Sequence, residues 1–158
     1  MSEATIEVTS SVLVPGGLMP PRFTADGDDQ SPPLAWGRPP PETKSFAIVC
    51  EDPDASNGVV FHHWVAWNIP ADQRELHAGV TASDDAADLR QGRNDFDGTG
   101  YRGPKPPRGA THRYVFRVLA LDLVPDLPTG SSRTALDRAI EGHVLAQGSL
   151  TVKYGRKG

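Results

Sequence analysis

The sequence has one cysteine, no cationic leader, no basic stripe and no apolar run near the roughly 18 residues that a spanning helix needs. Each of these shortages removes a class of protein. A single thiol cannot close an internal disulfide, so Cys50 says nothing about redox compartment. It sits in the apolar run Phe46-Ala47-Ile48-Val49-Cys50, where a buried, inert thiol is expected rather than a nucleophile. Without a leader or a spanning run, the expectation is a cytoplasmic protein with no membrane span. The formal net charge of −4 is scattered along the chain, so the electrostatic footprint of a nucleic-acid partner is missing. Nor is the chain poor enough in apolar residues to be disordered: 37% are hydrophobic and 23% charged.

Glycine and proline are abundant, with 16 and 15 residues in 158. That suits a fold of many turns and few long helices. No internal repeat or long linker divides the chain, so one domain over residues 1–158 is expected, with Pro39-Pro40-Pro41 as a stiff loop. Alternation and short apolar runs predict strands over residues 5–8, 45–51, 61–69, 112–122 and 149–154. One helical period is good: Leu136, Ile140, His143, Val144 and Gln147 share a side, with Ser131 or Ser132 as N-cap. A weaker helix is expected over residues 83–89, ahead of a long Gly/Pro-rich loop over 92–109, a length that is usually functional or disordered. The fold class is therefore mainly β, with one or two short helices.

Strand parity gives the first functional signal, because alternate residues point to opposite faces. In the strand from Phe61, the odd positions Phe61, Val65, Trp67 and Ile69 are apolar, and His63 is expected on their face. In the strand from His112, Phe116 and Val118 mark the buried even face, which His112 and Tyr114 share. Asp52 ends the preceding apolar run in Asp52-Pro53-Asp54-Ala55, a strong turn former in its own right. Its carboxylate either accepts backbone N–H bonds in that turn or joins the two histidines and the tyrosine in a cleft, and each histidine has the plainer alternative of a satisfied core position. His62 and His63 are adjacent on a strand, so they cannot grip one ion and at most one reaches the cleft. His63, His112 and Asp52 would still match a two-histidine, one-carboxylate metal site.

Other motifs point nowhere. Gly98-Thr99-Gly100-Tyr101-Arg102-Gly103 spells G-x-G-x-x-G but has neither the preceding strand nor the following helix that a pyrophosphate needs. The run from Pro104 to Pro107 spells P-x-x-P, for which loop rigidity is the simpler reason. No serine lies in a nucleophile-elbow context.

Taken in order, Ser31-Pro32-Pro33-Leu34-Ala35-Trp36, Lys44-Ser45-Phe46-Ala47, Asp52-Pro53-Asp54-Ala55, His63-Trp64 with Asn68-Ile69-Pro70, Gln91-Gly92-Arg93-Asn94-Asp95-Phe96, Gly100-Tyr101-Arg102-Gly103-Pro104 with Pro106-Pro107, His112-Arg113-Tyr114 and the stretch from Leu150 to Gly155 are similar to the phosphatidylethanolamine-binding protein family. The likeness is to its small bacterial, Raf-kinase-inhibitor-like branch. It spans nearly the whole chain. It implies an antiparallel β-sandwich with a small cavity at one end, open to solvent and receptive to phosphate-like or carboxylate anions. The family's pocket residues carry over onto Asp52, His63, Gly103, Pro104, His112 and Tyr114, with Pro106-Pro107 as the alternative alignment to Gly103-Pro104, and Asp54 bracing the turn. Three positions depart from the pattern. Ser56 stands where the family motif has Pro, Phe61 where eukaryotic members have Trp, and Lys105 where bacterial relatives often have Cys.

The expected function is a non-enzymatic binding module for a small phosphate- or carboxylate-bearing ligand, with no cofactor and no metal. Asp52 would orient a histidine, fix its tautomer and favour its charged form. The rival expectation is a protein–protein regulator of the kinase-inhibitor type that docks a partner protein on the pocket loops. A third is a metal-dependent enzyme at the same residues. The family's dimers leave a homodimer open.

Overall fold

The computed structural model describes residues 4–55, 58–81 and 89–156. Nine strands, β1 (Ala4–Thr5), β2 (Val8–Thr9), β3 (Leu34–Trp36), β4 (Ser45–Asp52), β5 (Phe61–Pro70), β6 (Glu75–Leu76), β7 (Arg90–Gln91), β8 (Thr111–Leu121) and β9 (Val144–Gly155), form two sheets, and one helix, α1 (Arg133–Ile140), precedes β9. The larger sheet runs β1-β9-β8-β4-β5-β7 and the smaller β2-β3-β6. Pairing is antiparallel except where β1 lies parallel to β9. The predicted first strand is in fact two: the chain leaves the large sheet after Thr5 and enters the small one at Val8.

The apolar run of β4 is continuous because both faces of the strand are covered. Phe46, Ile48 and Cys50 join Trp64, Phe116 and Val118 in the core shared with Leu34, Trp36 and Leu76 of the small sheet. Ala47 turns the other way, with Val65, Trp67, Leu119 and Leu121, onto Leu136 and Ile140 of α1. A strand buried on both sides loses its period of two.

The helix begins as its sequence dictates, with the Ser132 hydroxyl accepting the Ala135 N–H at 3.1 Å. It ends sooner than its apolar period suggests. Gly142 adopts φ +78° just past the helix, and the His143 N–H closes onto the Ile140 carbonyl. His143, Val144 and Gln147 therefore belong to the turn and to β9, and β9 starts at Val144 rather than Ser149. The second predicted helix falls almost entirely outside the described residues, as does Ser56. The long loop of residues 92–110 carries no helix and only isolated bridges, Arg93 to Thr99 and Arg108 to Arg156. The G-x-G-x-x-G stretch thus lacks its helix.

Two irregularities in the β4–β5 pairing set up the site. Phe46 pairs Ile69 but Ile48 pairs Ala66, and the extra residue is taken up near Asn68, which adopts φ +62°. Cys50 pairs Trp64 but Glu51 pairs His62, so His63 is left as the extra residue of a bulge. Two consecutive residues of a bulged strand oppose one on the partner, and the alternation of side chains is reset there.

Candidate functional site

That reset explains where His63 lies. On an unbroken strand His63 would follow Val65 and Trp67 to the helix-covered face, as the parity argument supposed. The structure corrects that argument: Val65 and Trp67 face α1, whereas His63 packs its ring against Phe61 and Tyr114, with centroids 5.0 and 5.3 Å away. The bulge brings His63 to the same side as its neighbour Trp64, where Tyr114 and Phe116 of β8 also point. His62 takes the outer face and lies between Glu51 and Asp95, at 3.5 and 3.2 Å. Only one of the adjacent histidines reaches the cavity.

Asp52, His63, His112 and Tyr114 converge on one cavity of about 210 Å³, at the end of the sheet where β4 finishes and β5 and β8 begin. All four are buried, with exposures of 4%, 3%, 8% and 0%. Ala55, Phe61, Phe96 and Pro107 add apolar wall, and Lys105 completes the lining with an exposed ammonium stem. A space of that size holds one small head group; ligands of drug size occupy roughly 300–1,000 Å³.

The Asp52 carboxylate performs both of the tasks open to it. Its Oδ1 accepts the Asp54 N–H at 2.7 Å, making the expected turn, and its Oδ2 bonds His112 Nδ1 at 2.6 Å. Asp54 braces the same turn from outside, where the Arg113 guanidinium grips it at 2.9 and 2.8 Å and holds its carboxyl down to about 2. His63 Nδ1 donates to the Arg102 carbonyl at 2.7 Å. Burial pulls the His63 pKa below its usual 6.5, outweighing that carbonyl and the charges of Asp52, Asp29 and Asp95. Neither Nε2 of the two rings is held by a hydrogen bond among the described residues. The Tyr114 hydroxyl is buried with no hydrogen-bond partner among the described residues, and burial pushes its pKa far up, so it stays protonated as a donor. A buried hydroxyl left unpaired costs about 1–3 kcal/mol, and such a group calls for an explanation.

Gly103 and Pro104 are not part of the lining. Gly103 N–H donates to Asp29 Oδ1 at 2.6 Å, and a Cβ there would lie 2.2 Å from the Phe23 carbonyl oxygen, so glycine is required for close packing. The Pro104 carbonyl accepts the Ala25 N–H. Of the alternative Pro106-Pro107, three residues further on, Pro107 is in the wall and Pro106 is not, and Lys105 lies beside it. Phe96 belongs to the stretch that carries the family likeness but was not among the expected pocket residues. Its only other signal was a lone aromatic in the polar run Asn94-Asp95-Phe96-Asp97, and it sits edge-on to Phe61 at 4.7 Å with Arg102 over its face at 5.5 Å.

Metal chemistry fits poorly. Both Asp52 oxygens are engaged, and among the described residues no group of three metal-ligating side chains is arranged around an ion. A larger groove of about 810 Å³ runs along α1 on the other face of the large sheet, between Arg133, Asp137, Arg138 and Glu141. Its walls mix those charges with Leu119, Ile140 and Val144, and no buried polar side chain is among its lining residues.

The family model described as phosphatidylethanolamine-binding protein matches residues 9–155. A protein of Methanothermobacter thermautotrophicus described as a UPF0098 protein is 47% identical over 141 residues, covering 89% of this chain and 92% of its own. The Escherichia coli protein YbcL, whose crystal structure is described as a new member of the mammalian family, superposes with TM-score 0.87 at 32% identity, covering 98% of this chain and all of that one. A phosphatidylethanolamine-binding protein homologue of Chlamydia trachomatis superposes equally well at 30% identity, with the same coverage. No helix among the described residues is long and apolar enough to cross a membrane.

Proposed function

Since the chain belongs to the phosphatidylethanolamine-binding protein family, we propose that it is a non-enzymatic module that binds a small oxyanion head group, phosphate or carboxylate, in the cavity between His63, His112 and Tyr114. The observation that carries this reading is the Tyr114 hydroxyl, a buried donor with no partner in a cavity wall. A ligand oxygen there would relieve the unpaired hydroxyl, and Lys105 at the rim would balance its charge. Binding rather than catalysis is favoured by what surrounds the Asp52–His112 pair. That pair is an oriented imidazole with no hydrogen bond to its Nε2 among the described residues, where no serine or cysteine lines the cavity beside it and Cys50 is buried in the core.

Thermal denaturation with added phosphate tests the reading. At a concentration about a hundred times Kd the fold should gain roughly 2.7 kcal/mol, several degrees in melting temperature. His112→Ala should abolish that shift while leaving the protein folded. Equal shifts in wild type, His63→Ala and His112→Ala would put the anion elsewhere. A second reading, docking of a partner protein on the rim, is favoured by Val59 and Val60, which stand 63% and 40% exposed just before Phe61. If that reading is right, partner capture will require the rim valines and will be competed by phosphate only at the cavity.

A further inference from the structure

We infer that the cavity discriminates among oxyanions by their protons: it selects an anion that still carries an acidic O–H, such as a singly ionised phosphate or phosphate monoester, over a fully ionised one such as sulfate. This rests on the anion-binding reading of the same cavity and goes further by fixing which atoms donate and which accept.

The argument starts from the two imidazole tautomers. A carbonyl oxygen only accepts, so the bond of 2.7 Å between His63 Nδ1 and the Arg102 carbonyl places the His63 ring proton on Nδ1. Asp52 already accepts the Asp54 N–H on one oxygen, and its other oxygen faces His112 Nδ1 at 2.6 Å, so the His112 proton is on Nδ1 too. Both rings therefore turn the same kind of atom outward. In a neutral ring each Nε2 is a lone pair that can accept a hydrogen bond but cannot give one. The Tyr114 hydroxyl is the one uncommitted buried donor of the group. With the His63 proton on Nδ1 and its ring neutral, the cavity thus sets a donor, the Tyr114 hydroxyl, beside an acceptor, His63 Nε2, a pattern that complements an oxyanion with a hydroxyl hydrogen and repels one with none.

The charges that face His63 reinforce the preference. From β4 comes Asp52, and from the loops come Asp29 and Asp95, all negative. Asp29 is paired with Arg102, Asp95 with His62, and Asp54 with Arg113. Tyr114 of β8 faces it without formal charge, and Lys105 brings one positive charge at the rim. With those carboxylates paired, Asp52 beside the ring and the single cation of Lys105 at the rim favour a monoanion over a dianion. Burial also holds the His63 ring in its neutral form near pH 7, so a fully ionised ligand must be accompanied by a proton from solvent.

The experiment is calorimetric titration of the whole protein at about pH 7 with inorganic phosphate and with sulfate, repeated in buffers of different ionisation enthalpy. Inorganic phosphate at this pH is a mixture of mono- and dianion, whereas sulfate is dianionic throughout. Phosphate is expected to bind at least about tenfold more tightly. Sulfate binding is expected to take up close to one proton per anion and to strengthen by up to about tenfold for each unit by which pH falls. His63→Gln, whose amide can both give and accept, should bring the ratio of the two affinities towards one. Equal affinities with no proton uptake would overturn the selectivity and leave the anion pocket standing. A wild-type ratio retained in His63→Gln would do the same. No binding of either anion at millimolar concentration would overturn the pocket itself, and this inference with it.

Discussion

Replacing Tyr114 by Phe removes one oxygen from the centre of the site, and the structure gives the sign of the effect. A buried tyrosine hydroxyl normally has a partner, and its loss weakens the fold by about 1 kcal/mol. Tyr114 has none among the described residues: its hydroxyl is buried and unpaired, in a side chain that is 0% exposed. Its desolvation, about 1–3 kcal/mol, is therefore uncompensated without ligand. Tyr114→Phe should accordingly raise the stability of the free protein by about 1 kcal/mol, or about 2–4 °C in melting temperature for a domain of this size. The same change should lower phosphate affinity roughly tenfold to a hundredfold, since a bond to a charged acceptor is worth about 1.5–3 kcal/mol and about 1.4 kcal/mol is a factor of ten. Differential scanning fluorimetry with and without phosphate reads both effects in one experiment. The reasoning is refuted if the variant melts lower than wild type without ligand and keeps the full phosphate shift.

Three further outcomes follow from the geometry. Gly103→Ala should destabilise the fold, because its Cβ would meet the Phe23 carbonyl oxygen at 2.2 Å, yet the folded fraction should bind phosphate with unchanged affinity; a selective loss of affinity in calorimetry would return Gly103 to the site. Glu51, held down to about 2 from 4.5 first by His62 and then by Arg117 and Arg133, contributes stability that is fully present above pH 4.5 and lost as pH falls towards about 2. Glu51→Gln should flatten that part of the acid-denaturation curve, and an unchanged slope would contradict the assignment. Cys50 is fully buried and its thiol is pushed well up by burial, so a thiol reagent should label it only on unfolding, and rapid native labelling would contradict its place in the core.

Much of this arrangement was legible in the chain because the central strands carry it. The apolar run from Phe46 to Cys50, the even face of β8 with His112 and Tyr114, and the Asp52 turn behave as their patterns require. His63 was placed in the cavity for the wrong reason. Parity pointed it at the face of Val65 and Trp67, and the bulge that turns it to Tyr114 leaves no mark that alternation can detect. The helix was overextended because Val144 and Gln147 continue its apolar period beyond Gly142, and β9 is buried enough to mimic that period. Strands of two or three residues, such as β3, β6 and β7, are too short to show any period and are fixed by tertiary pairing. The loop residues Phe96, Lys105 and Pro107 reach the cavity through loop geometry set by Asp29, which holds both Arg102 and the Gly103 N–H. No local pattern encodes that clamp.

The most direct measurement is a crystal structure of the protein grown in phosphate. The account predicts tetrahedral density in the cavity, with one oxygen within about 3 Å of the Tyr114 hydroxyl and another within about 3 Å of His112 Nε2. Phosphate bound only elsewhere, with the cavity empty and the Tyr114 hydroxyl still unpaired, would contradict it.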